Sequence, residues 1–144
     1  MINTQSVLYK LPQRFQNTIH EYKMEFPDTS KVNYKDIVAY RMITRYLDDS
    51  LELNIEDFRS QAEQKWRGKP VKKFIENDIE YYSCSMFDDI SVLKTILGLP
   101  KKNKKIICGI IYDSYGIINR DGNHIHLWRY DNVDPSKSFS IVEE

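Results

Sequence analysis

The chain has little of what many function classes require. Only two of its 144 residues are cysteine, Cys84 and Cys108. Both sit in apolar sequence, with neither the close pairing of a CxxC site nor the density of a small disulfide scaffold, so both read as buried thiols. No run of about twenty apolar residues is present to span a bilayer. Met1 to Phe15 lacks the continuous hydrophobic stretch of an export signal. A soluble chain that starts in the cytoplasm is expected, with any secretion left to a machinery that ignores signal peptides. Net charge is missing too: 21 Lys plus Arg balance 21 Asp plus Glu, so no global field draws nucleic acid or an anionic membrane. Repeats, low-complexity tracts and linkers are lacking, and the length suits one domain over 1–144.

What is present divides into a helical first half and a strand-rich second half. Phe15, Ile19, Tyr22 and Phe26 fall on one helix face that Pro27 closes. Ile37, Tyr40, Thr44 and Leu47 repeat the same spacing and predict a helix over 34–47. Ile55, Phe58, Ala62 and Trp66 predict a third, with Asn54 as N-cap and Gly68 beyond its end. Further on, 78–84 reads as a short strand. Ser85 and Asp88 read as a capping box for a helix carrying Ile90, Leu93 and Leu97, stopped by Gly98 and Pro100. The β-branched run from Ile106 to Tyr112 predicts a buried strand. A rather long loop containing Asp121-Gly122 then leads to an antiparallel partner from His124 to Tyr130, and 139–142 adds a last strand. This order predicts an α+β fold.

Chemistry concentrates on Asn123-His124-Ile125-His126-Leu127-Trp128. On a strand, His124 and His126 share one face, about 7 Å apart along the backbone. Two imidazoles at that spacing suit a transition metal, but zinc takes three or four ligands and the only other histidine, His20, lies on the first helix. No metal or other cofactor is therefore assigned. The other reading makes one histidine a general base oriented by a carboxylate.

Several short motifs in matching order strengthen that reading. Val38-Ala39-Tyr40-Arg41-Met42-Ile43, the helix ending Gly98-Leu99-Pro100, the apolar strand after it and His124 to Trp128 resemble the type VI secretion amidase effectors of the fourth family. These are papain-like cysteine amidases of the bacterial cell wall. The family's Cys-x-x-Arg-Met-Ser segment opens a helix and its histidine strand reads Gly-His-x-x-Leu-Trp. The resemblance implies a papain-like α+β fold, with N-terminal helices packed on a small antiparallel sheet and position 38 near a helix start facing His124. It implies His124 as catalytic histidine and Asp134, or alternatively Asp131, as the orienting aspartate. It places Arg41, His126 and Trp128 in the substrate groove.

The family's nucleophile position is Val38, which has no lone pair with which to attack a carbonyl. The resemblance thus implies an amidase homologue inactive at the family site, binding peptidoglycan stem peptides or a protein partner. Two alternatives stay open. One is an active hydrolase with a metal or a relocated nucleophile, for which Cys84, read as lying just before a helix N-terminus, is preferred to Cys108, whose expected register turns it away from His124. The other is an unrelated interaction module such as an immunity-type protein.

Overall fold

A computed structural model describes residues 4–27, 37–44, 52–71, 73–100 and 104–142. Its elements in chain order are α1 (Thr4–Val7), α2 (Gln13–Tyr22), β1 (Ile37–Ile43), α3 (Gln61–Trp66), β2 (Cys84–Phe87), α4 (Ile90–Leu97), β3 (Lys105–Ile111), β4 (Gly116–Asp121), β5 (His124–Arg129) and β6 (Phe139–Ile141). Short 3-10 turns at Ile55–Phe58 and Ile79–Tyr82 precede α3 and β2. The α+β class stands, with all six strands in one antiparallel sheet of order β4-β5-β2-β1-β3-β6.

One junction in that sheet differs from the rest. β1 pairs with β3 over its whole length, from Ile37↔Ile111 to Ile43↔Lys105. Against β2 it keeps a single partner, Tyr40↔Phe87. The sheet is therefore split between β1 and β2. A single core cluster nevertheless draws on every strand: Ile37, Ala39 and Ile43 from β1, Cys84 and Met86 from β2, Ile107 and Ile111 from β3, Ile118 from β4, Ile125 and Leu127 from β5, Phe139 from β6. These residues lie on neighbouring strands and on one face, so a single cluster runs across the split. The opposite face is covered in two places. Leu11, Phe15 and Ile19 join Ile117 and Trp128 over the β4–β5 end, while Leu93 of α4 packs with Phe87 and Ile106, and Tyr40 and Met42 close in around them.

Several expected elements take another form. The described part of the helix expected over 34–47 is the strand β1; 34–36 and 45–47 lie outside the described residues. Its inward residues, Ile37, Ala39 and Ile43, follow a period of two, and its β-branched content suits a pleated surface flanked by neighbours. The predicted third helix is broken at Arg59-Ser60, where Ser60 starts α3 with its own capping box to Glu63. Asn54 caps the preceding 3-10 turn. Ser85 does not cap α4. It lies within β2, and Asp89 caps instead, its carboxylate accepting from the Ser91 and Val92 amides. The expected long loop before the histidines is the strand β4 followed by a tight turn at Gly122-Asn123, in register Asp121↔His124. Gly122 alone of these two has positive φ, at 60°, the position where a two-residue hairpin turn favours glycine.

Candidate functional site

The histidine strand lies beside β2, in register Ser85↔His126 and Phe87↔His124. Ser83, Ser85 and Phe87 thus share a face with His124, His126 and Trp128. Four rings stack along this ladder. Phe87 lies 4.9 Å from His124, His124 4.2 Å from His126, and His126 5.8 Å from Trp128, centroid to centroid. Two serine–histidine hydrogen bonds run diagonally across it, Ser83 Oγ to His126 Nδ1 at 2.9 Å and Ser85 Oγ to His124 Nε2.

The two pairs are not equivalent. His126 and Ser83 are buried, and Ser83 donates its single hydroxyl hydrogen to the Glu80 carbonyl at 2.8 Å. It must then accept from His126, which fixes the proton of the neutral imidazole on Nδ1. Burial, and next the neighbouring His124, pushes the His126 pKa down to about 4. His124 and Ser85 are half-buried. Among the described residues Ser85 Oγ has no partner other than His124. Burial lowers the His124 pKa as well, against the opposing pull of Glu80 and Asp121. Both imidazoles are thus neutral at pH 7.

Ser85, His124 and His126 line a cleft of about 230 Å³ with Gln61, Asp78 and Tyr81. Gln61, Glu80 and Ser85 also line a second hollow of about 350 Å³ beyond the point where β1 and β2 part, between Arg41–Thr44, Ser83–Ser85 and the segment 56–64. Arg41 bridges that opening. Its Nε donates to the Asp57 carbonyl at 2.8 Å, Nη1 to the Ser85 carbonyl at 2.7 Å and Nη2 to the Arg59 carbonyl at 3.1 Å. A guanidinium has five N–H groups, so two remain without a partner among the described residues. On the far wall burial alone would push the Glu56 carboxyl up, but Arg59, Arg67 and Lys69 outweigh it and hold it below its ordinary value.

The residues expected to form an amidase centre are not brought together. Val38 is on β1 and exposed. It lies two strand spacings and two residues from His124, on the order of 12 Å, with Tyr40 and Phe87 between them in register. Asp134 follows the far end of β5 and caps the 3-10 turn after it, accepting from the Ser136 amide. Asp131 is at the same end, its amide bonded to the Lys10 carbonyl. Trp128 is fully buried and donates to the Ile79 carbonyl at 2.9 Å, which places it in the core and not in a groove. Arg41 does line the cleft. Cys84 is in mid-sheet, not before a helix, and burial pushes its thiol pKa up, the wrong direction for a thiolate. Cys108 shares the face of His124, contrary to the expected register, but β1 and β2 lie between. No group of three or more histidines, cysteines and carboxylates suited to a metal occurs among the described residues.

Sequence reasoning missed Ser83, Ser85 and Glu80. A signal existed, since Ser83-Cys84-Ser85 alternates polar residues within an apolar stretch just as His124-Ile125-His126 does. The fold and site together define an α+β domain with a polar cleft at a split antiparallel sheet. Compared with known family models, curated proteins and solved structures, the chain matches none at a significant level.

Proposed function

We propose that the protein works through the cleft at the β1/β2 split, as a binding homologue of the cell-wall peptide amidases that lacks acyl-enzyme chemistry at position 38. The observation that carries this reading is the single β1–β2 register pair. Beyond Tyr40, strand edges of β1 and β2 face the hollow without facing each other, and an extended peptide can pair with such edges through its own backbone amides. Arg41, with two N–H groups unpartnered among the described residues, suits a peptide carboxylate, which a guanidinium binds in a fork. A stem peptide of peptidoglycan has both features, as does an extended segment of a partner protein.

A second reading is favoured by the composition of the walls. Arg41, Arg59 and Lys69 line the larger hollow, which shares Gln61, Glu80 and Ser85 with the cleft that holds the rings of Tyr81 and His124. Guanidinium and ring together also suit a phosphate joined to a planar base, as in a mono- or dinucleotide.

One experiment tests both. Backbone amide shifts of the labelled protein are followed while a peptidoglycan tetrapeptide, and separately a dinucleotide, is added. Saturable shifts at Arg41–Thr44 and Ser83–Ser85 with the peptide are expected, and Arg41→Ala should weaken them at least about tenfold, as loss of a charge-assisted hydrogen bond implies. Saturation by the dinucleotide alone would replace the first reading with the second. Millimolar concentrations of both leaving these segments unmoved would end both.

A further inference from the structure

Building on the cleft reading above, we infer that Ser85 is a nucleophile and His124 its general base, so that the cleft can cleave an ester or amide of the acyl compound it holds. A serine hydroxyl has one hydrogen. Ser83 spends its own on the Glu80 carbonyl and so only accepts from His126. Ser85 Oγ has His124 Nε2 as its single partner among the described residues. A neutral His124 protonated on Nδ1 presents a bare Nε2, and the Ser85 hydroxyl then donates to it, the arrangement that activates an alcohol. Of two serine–histidine pairs on the same ladder, only this one has the donor free for chemistry, and only this one has both its serine and its histidine on the wall of the smaller cleft.

The ring stack holds the base in place. His124 is sandwiched between Phe87 at 4.9 Å and His126 at 4.2 Å, so its Nε2 cannot swing away without breaking two contacts. Asp121 and Glu80 are the carboxylates that act on it electrostatically, and they stabilise the imidazolium that forms during attack. Asp78 and Glu80 on the wall favour a substrate with an ammonium group near its reacting carbonyl.

Ser85 Oγ bonds to the carbonyl carbon while its proton passes to His124 Nε2. The bond to the leaving oxygen or nitrogen breaks, and that atom takes the proton from His124. Water then attacks the acyl-serine, giving one proton to His124, and the carboxylic acid departs as Ser85 regains its hydrogen.

A fluorophosphonate probe tests the pair without any peptide, because its phosphorus bonds to an activated serine Oγ and fluoride leaves. Intact-mass and peptide mapping should place the adduct on Ser85. Ser85→Ala should abolish it, and His124→Gln should slow it by about a hundredfold, the usual scale of a general base. Circular dichroism melts of each variant separate loss of the pair from loss of the fold. The labelling rate should also rise with pH through a midpoint below 6.5, a profile that a merely structural histidine would not impose. No adduct on Ser85 under conditions that label a known serine hydrolase, or an unchanged rate in folded His124→Gln, would overturn the inference. Either result leaves the peptide titration unaffected, so the two proposals fail separately.

Discussion

At the scale of single residues, Arg41 shows how one side chain can hold a deliberate gap open. β1 and β2 part after Tyr40↔Phe87, and the Ser85 carbonyl that a continuous sheet would bond to β1 is met by Arg41 Nη1 instead. Two further carbonyls, of Asp57 and Arg59, converge on the same guanidinium. Lysine has a point charge and three rotatable donors on one atom, so it cannot span three acceptors lying in different directions. Arg41→Lys should therefore lower stability by about 2 kcal/mol, the worth of one or two hydrogen bonds to a charged group. Urea unfolding of the two proteins measures it. An unchanged midpoint would mean that water replaces the guanidinium at these carbonyls without loss.

At the scale of elements, α3 is tied to β5 by charge. Glu63 Oε2 accepts from Arg129 Nη2 at 2.7 Å and from Arg59 Nη1 at 2.8 Å, and its Oε1 accepts from the Ser60 amide to complete the capping box. Arg129 is buried, with its other terminal nitrogen on the Tyr130 and Val133 carbonyls. Replacing Glu63 by Gln removes the countercharge of a buried guanidinium, which typically costs about 3 kcal/mol or more. The thermal midpoint should fall by many degrees, and a fall no larger than that of an exposed substitution would show that the pair is screened.

These ties also explain what the sequence could and could not disclose. The β3 run, the α4 stripe and the β5 alternation are patterns internal to one segment, and they were legible as such. β1 was not, because Ile37, Tyr40 and Thr44 satisfy a helical spacing by coincidence while the inward set is Ile37, Ala39 and Ile43. Only the neighbouring strands decide between the two periods. The cleft was hidden for a related reason. Ser85 meets His124 through strand register, a property of two distant segments. The histidines could be picked out by their alternation, but not the serines that complete their hydrogen bonds.

At the scale of the whole molecule, one core cluster runs across both halves of the sheet, and the histidine ladder is built into one of them. His126 is buried and neutral there, with its pKa lowered to about 4 from an ordinary 6.5. Unfolding exposes the ring, which then binds a proton at any pH below about 6.5, whereas the folded protein refuses it until about 4. Within that window the unfolded state holds more protons, so stability rises with pH and is lost as pH falls from about 6.5 towards 4. The loss from His126 alone is about 3 kcal/mol by linkage, and the lowered pKa of His124 acts in the same direction. The urea midpoint should accordingly drop steadily across this interval. His126→Gln keeps a donor for Ser83 and removes the titration. It should be less stable than the parent at pH 7 yet flatten most of the slope, so that the two curves converge near pH 4. Parallel curves for the two proteins would show that other groups drive the acid sensitivity and that the ring ladder tolerates a charge in its middle.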